Sequence, residues 1–182
     1  VTTVIRVRRE TAGDVAAIRR VHDLAFGARD SVLSWEARLV EDLRGGPSWI
    51  PALSMVAEID GVVVGHVLAT RGRLDAAGST RAVRALGLAP LGVVPDRQHL
   101  GIGTRLMYAL LGAARALDHE IVCLLGDPAY YGRFGFVRSS TLGIAPPHPT
   151  WAAHFQALLL DPQAWDGTPG TFWYDPAFDR EP

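Results

Sequence analysis

The chain has 182 residues, 48 % of them apolar and 20 % charged, with a formal net charge of −1. That length suits one domain, and that balance excludes a disordered tail and any global pull toward nucleic acid or anionic lipid. All 18 basic residues are arginine, which removes a Schiff-base lysine, a lysine general base and the phosphate-binding lysine of a P-loop.

Residues 1–10 mix apolar and charged side chains, and no uninterrupted run of about 18 apolar residues follows, so a cytoplasmic protein without a membrane span is expected. Residues 4–8 alternate as a short strand. Thr11 and Asp14 resemble a capping box opening a helix whose stripe is Val15, Ile18, Val21, Leu24 and Ala25. A second helix is predicted over residues 34–44, burying Trp35, Leu39, Val40 and Leu43, with Gly45, Gly46 and Pro47 as its stop. Strands 53–59 and 62–70 flank Asp60-Gly61, the signature of a type I′ hairpin turn. Residues 71–84 read as a polar loop. A long strand follows over 85–94, where Pro90 marks a bulge or an unpaired place because proline cannot donate to the ladder.

Residues 101–117 form a helix with Leu106, Leu110, Leu111, Ala114 and Leu117 on one side. Residues 121–125 are a strand buried on both faces. They hold the single cysteine, Cys123, which reads as a small buried hydrophobe rather than a nucleophile. A lone cysteine also excludes an internal disulfide and multi-cysteine metal sites. A short helix near 129–134 precedes a tail in which 155–160 and 170–174 are candidate strands. The order describes a mixed α/β sheet with helices on both faces in a single domain over residues 1–182.

The chemistry concentrates in LGVVPDRQHLGIGTRL, residues 91–106. A strand ends, a polar loop follows, and two glycines enter a helix whose first-turn N–H groups favour phosphate. A dinucleotide fingerprint would need glycine where Leu106 stands. Gln98-His99-Leu100-Gly101-Ile102-Gly103 resembles instead the acyl-CoA loop of the GCN5-related N-acetyltransferase (GNAT) family. LGDPAYYGRFGF, residues 125–136, resembles a second hallmark, found in a bacterial branch of predicted N-acetyltransferases.

The resemblance spans nearly the whole chain. It implies the GNAT fold, a mixed, mostly antiparallel sheet with splayed central strands. It implies acetyl-CoA as cosubstrate, no metal, and a small-molecule or peptide amine as acceptor, with no nucleic-acid or membrane partner. A homodimer is expected from family habit. By position, the strand around Leu91, Val93 and Val94 would pair with the pantetheine arm. Amides of Gln98, His99, Leu100, Gly101, Ile102, Gly103 and Thr104 would cradle the diphosphate. Tyr131 would be the general acid. His99 departs from the family's usual glycine, and Asp127-Pro128 stands where many relatives carry a pantetheine-binding asparagine, so Asp127 also reads as a helix N-cap.

The reaction implied is direct acetyl transfer to a primary amine through a ternary complex; the alternative is a catalytically silent acyl-CoA sensor or scaffold. An alkylamine of pKa about 10.4 is only about one part in 2,500 neutral at pH 7, a cost of roughly 4.6 kcal/mol, so a base or water chain must take a proton. Glu36 and His66 are the candidate bases, beside water itself. A backbone N–H near Val93 would serve the oxyanion. Arg133 could meet a CoA phosphate or simply lie at the surface. The aromatic residues Trp151, Phe155, Trp165, Phe172, Trp173 and Tyr174 read as core and tail packing.

Overall fold

The computed structural model describes residues 4–27, 33–76, 78, 82–163 and 165–180. Strands β1 (Ile5–Arg9), β2 (Ser54–Ile59), β3 (Val62–Ala76) and β4 (Ala85–Val93) lie side by side, each antiparallel to the next. β5 (Ile121–Leu125) joins β4 in parallel, and β8 (Phe155–Leu159) and β6 (Val137–Arg138) continue the sheet beyond it. The short strands β7 (Ile144–Ala145) and β9 (Gly170–Trp173) pair with each other, and β9 pairs with the far end of β3. The architecture is the mixed, mostly antiparallel α/β sheet expected.

Local chemistry explains the elements. Asp60 (φ 50°) and Gly61 (φ 77°) both adopt positive φ, as a type I′ turn requires, and β2 and β3 close on the pair Ile59–Val62. Thr11 donates its N–H (2.7 Å) and its hydroxyl (2.8 Å) to the Asp14 carboxylate at the entry to α1 (Val15–Phe26). Ser34 caps α2 (Trp35–Leu43), its oxygen accepting from the Ala37 N–H at 3.1 Å. In β4 the register slips between Val67–Leu91 and Ala69–Leu88, so Leu68 opposes both Ala89 and Pro90, and of the two readings of Pro90 the structure takes the bulge.

Successive strand residues face opposite sides of a sheet. A Cβ at Gly65 would lie 3.0 Å from Ile102 and Leu106 of α3 (Ile102–Ala116), while neighbouring His66 meets His22 of α1. The two helices therefore cover opposite faces. Ile102, Leu106 and Leu110 are fully buried, each contributing about 1.5–3 kcal/mol of apolar transfer. On α1 the buried stripe is Ile18, Val21 and His22; Leu24, expected on it, is exposed.

Residues 71–84 are not all loop, because 71–76 prolong β3. Their polarity hid a strand whose partners lie nearly 100 residues downstream, with Arg73 opposite Trp173 and Ala76 opposite Gly170. Two glycines make room for the tail's rings. A Cβ at Gly72 would lie 2.3 Å from Phe172, and one at Gly87 2.5 Å from Tyr174. Among the described residues no helix is long and apolar enough to cross a membrane.

Candidate active site

The site begins where two strands part. β4 and β5 pair only from Ala85–Ile121 to Gly87–Cys123. Beyond that, β4 stays with β3 as far as Val93, and β5 stays with β8 as far as Leu125. Tyr174 sits at the apex of the opening, its ring against Gly87 and its hydroxyl hydrogen-bonded to the Leu125 backbone. The Gly126 N–H bonds to His154 on the β8 side, so strand alternation turns the Leu125 N–H toward the side β4 has left. The tyrosine hydroxyl takes the place of that missing strand.

The same alternation exposes β4. The Val94 N–H donates to Val64 O at 3.0 Å, so the main-chain groups of Val93 and Leu91 face the opening instead. The Gln98 side chain donates to Val93 O at 3.1 Å and ties the loop to the strand. His99 (φ 63°) and Gly101 (φ 79°) then turn the chain through left-handed geometry into α3. Gly101 caps that helix without a side chain, leaving its first-turn N–H groups with no side-chain acceptor. They face a cleft of about 720 Å³ lined by Leu91, Val93, Arg97, Gln98, His99, Gly101, Ile102, Gly103, Thr104, Asp127, Ala129, Tyr130, Tyr131 and Arg133. Open helix N–H groups with Arg97 and Arg133 alongside make an anion-binding wall.

The opposite wall is α4 (Pro128–Tyr131). The Asp127 carboxylate accepts from the Ala129 N–H at 2.9 Å, the N-cap role expected of it. The two adjacent tyrosines diverge. A Cβ at Gly103 would lie 2.6 Å from the Tyr130 hydroxyl, placing that hydroxyl on the loop that enters α3, beside Thr104. Tyr131 lies instead over Gly126, where a Cβ would be 2.3 Å from its ring. Burial pushes the Tyr131 phenol above its ordinary value, as does Tyr130 next to it, so it is a donor at neutral pH. The Arg133 Nε donates to Tyr130 O at 2.9 Å, and its guanidinium lies 4.7 Å from that tyrosine's ring centre.

Tyr131 and Leu91 also line a second cavity, of about 340 Å³. Its other walls are Phe26, Trp35, Glu36, Leu88, Ala89, Pro90, Leu125, Trp151, Tyr174 and Phe178. Burial pushes the Glu36 carboxyl up from its ordinary value.

Most of the predicted loop residues converge on the first cleft. Val94 and Leu100 do not line it: Val94 is core, and Leu100 points outward at 51 % exposure. Of the two base candidates, Glu36 lines the second cavity. His66 lines neither and is bonded through both ring nitrogens. Ser54 donates to the Glu10 carboxylate, so its oxygen accepts from His66 Nε2–H at 2.9 Å. The His66 Nδ1 lone pair then accepts from His22 Nε2–H at 2.8 Å. His22 Nδ1 is left without a partner under Gly92, where a Cβ would lie 2.8 Å from it. Burial, reinforced by His66, pushes His22 down to about 2, so this pair stays neutral. Burial raises Glu10, but hydrogen bonds from His66, Arg44 and Ser54 outweigh that and hold it at about 2.

Cys123 is fully buried, and burial raises its thiol above the ordinary range. Phe155 and Phe172 are core, as expected, but Trp151 and Tyr174 are cavity walls. Sequence reasoning passed over Arg97 and the aromatic cavity. Only the adjacency of Trp35 and Glu36 hinted at the latter. Among the described residues no group of three or more His, Cys, Asp or Glu side chains is placed to hold a metal.

Comparison with known proteins accords with this geometry. The acetyltransferase (GNAT) domain family matches residues 6–138. The uncharacterized N-acetyltransferase YjhQ of Escherichia coli is 34 % identical over 160 residues, covering 85 % of this chain and 84 % of that protein. The uncharacterized N-acetyltransferase YhbS of the same species is 32 % identical over 146 residues, 80 % of this chain and 84 % of that one. The crystal structure of YhbS in complex with CoA superposes with a TM-score of 0.88 at 28 % identity, over 100 % of this chain and 96 % of that one. A GNAT family acetyltransferase from Brucella melitensis in complex with acetyl-CoA gives 0.75 at 33 % identity, over 97 % and 99 %.

Proposed function

The chain belongs to the GNAT acetyltransferase family, and we propose that it moves an acetyl group from acetyl-CoA directly to a primary amine within a ternary complex. The observation that carries this reading is the meeting of the two cavities at Leu91 and Tyr131. One cavity has the anion-binding wall that a diphosphate needs. The other is apolar and opens onto the same tyrosine. A thioester held along β4 thus presents its carbonyl where an amine in the second cavity reaches it.

Each chemical requirement has a residue nearby. The Val93 carbonyl is occupied by Gln98, leaving its N–H facing the cleft as a donor for the oxyanion. Glu36 is the carboxylate in the amine's cavity, and its raised pKa brings it closer to that of a useful base. Tyr131 faces the departing sulfur. A thiol near 8.5 is already about 1.5 units more acidic than an ordinary phenol near 10, and burial widens the gap. Outright proton transfer is therefore uphill, and Tyr131 acts by donating a hydrogen bond to the thiolate.

Release of free CoA thiol from acetyl-CoA across a panel of amines tests the reading. Amine-dependent release supports it. Tight CoA binding without release for any amine would make the chain a silent acyl-CoA binder.

A further inference from the structure

The second cavity is walled by rings in sequence. Trp35 lies 6.3 Å from Phe178 at 67°, Phe178 lies 4.4 Å from Tyr174 at 30°, and Tyr174 lies 6.3 Å from Trp151 at 68°. The wall is held in place. Trp35 donates its indole N–H to Arg180 O at 2.8 Å, and Arg180 pairs with Asp42 of α2 at 3.1 Å. Against these rings stands one carboxylate, Glu36, the only charged side chain among the described lining residues.

From this juxtaposition we propose that the acceptor is a small primary amine bearing a single positive charge and an aromatic body, an arylalkylamine, with Glu36 receiving its ammonium. The proposal rests on the acyl-transfer reading for the location of the acceptor and goes beyond it in naming the class. A volume of about 340 Å³ is at the low end for small-molecule sites. Edge and face contacts with the four rings reward an aromatic body. One carboxylate neutralises one ammonium, and a second charge, as on a polyamine or aminoglycoside, would find no charged partner among the described lining residues. Trp151, Tyr174 and Phe178 come from the tail, beyond the residues 6–138 that the family model matches.

The test compares 2-phenylethylamine, spermidine, kanamycin and a lysine-containing peptide as acceptors, with thiol release as the readout. 2-Phenylethylamine should show a kcat/KM at least tenfold above the other three. Glu36→Gln should raise its KM at least tenfold and leave the KM for acetyl-CoA unchanged, and Trp151→Ala should raise it as well. Quenching of tryptophan fluorescence by 2-phenylethylamine in the presence of CoA reads binding without turnover. Saturable quenching that Glu36→Gln weakens, with no turnover of any amine, would uphold the arylalkylamine as the ligand class of this cavity and overturn the acyl-transfer reading, and with it the amine's role as acceptor. Better turnover of spermidine, kanamycin or the peptide would overturn the class and leave acyl transfer standing. Absence of saturable quenching would also overturn the class.

Discussion

Acidification should destabilise this fold through His22, a group its chemistry does not use. In the unfolded chain the imidazole titrates at 6.5, while in the folded chain burial and His66 hold it at about 2. Between those values the unfolded state binds the extra proton, so stability rises with pH across the window and is lost as pH falls below 6.5. At about pH 5.5 a free imidazole is protonated roughly ten times in eleven, and RT ln 11 is about 1.4 kcal/mol. His66, lowered by its own burial, acts in the same direction. Urea unfolding at about pH 7.5 and about pH 5.5 should therefore show a clear loss in the parent protein. His22→Gln is less stable at both pH values, because the bond to His66 is altered, but it should lose about 1.4 kcal/mol less across the interval. Taking the difference between variant and parent cancels the titrating groups that do not touch His22, and leaves His22 together with its effect on His66. A variant whose loss parallels the parent's would refute the claim that His22 is held neutral.

Three further outcomes follow from the site. Tyr131→Phe should slow turnover roughly 10- to 150-fold with little change in the KM for acetyl-CoA, since a hydrogen bond to a charged group is worth about 1.5–3 kcal/mol; Tyr130→Phe should act on CoA affinity instead, its hydroxyl lying on the loop that enters α3. Gly103→Val should raise the CoA Kd at least tenfold, about 1.4 kcal/mol, by calorimetry; part of that loss should return in Gly103→Val/Tyr130→Phe, because the hydroxyl 2.6 Å from the new Cβ is gone. His99→Gly should relieve a non-glycine residue at φ 63° and raise Tm by about 1–4 °C, a gain of about 0.5–1 kcal/mol; a lower Tm would show that the His99 side chain holds the loop.

Local rules made the cofactor side of the site legible. Asp60-Gly61, the Pro90 bulge, the glycines entering α3 and the Asp127 cap are each decided by residues within a few positions of one another. Long-range pairing hid the rest. Residues 71–76 look like a polar loop until Gly72 is seen under Phe172. Trp151 and Tyr174 look like packing until α2 and the tail are brought to face β4. His22 lay on a predicted helix, but nothing in its neighbours announced a buried bond to His66, 44 positions away. Signals confined to one turn or one strand survive in a sequence; those made by two distant segments do not.

Tyr174 at the apex of the parted strands also bears on when the protein acquires its function. A nascent chain synthesised only as far as residue 142 already holds β4, β5, the loop into α3 and α4. It lacks β8 on the outer edge of β5, and it lacks the hydroxyl that satisfies Leu125 between the diverging strands. Since chains fold progressively as they are made, the cleft would take its working shape only after the tail leaves the ribosome and docks over Gly72 and Gly87. Prematurely terminated products would then carry the family's motifs yet have no ordered opening between β4 and β5.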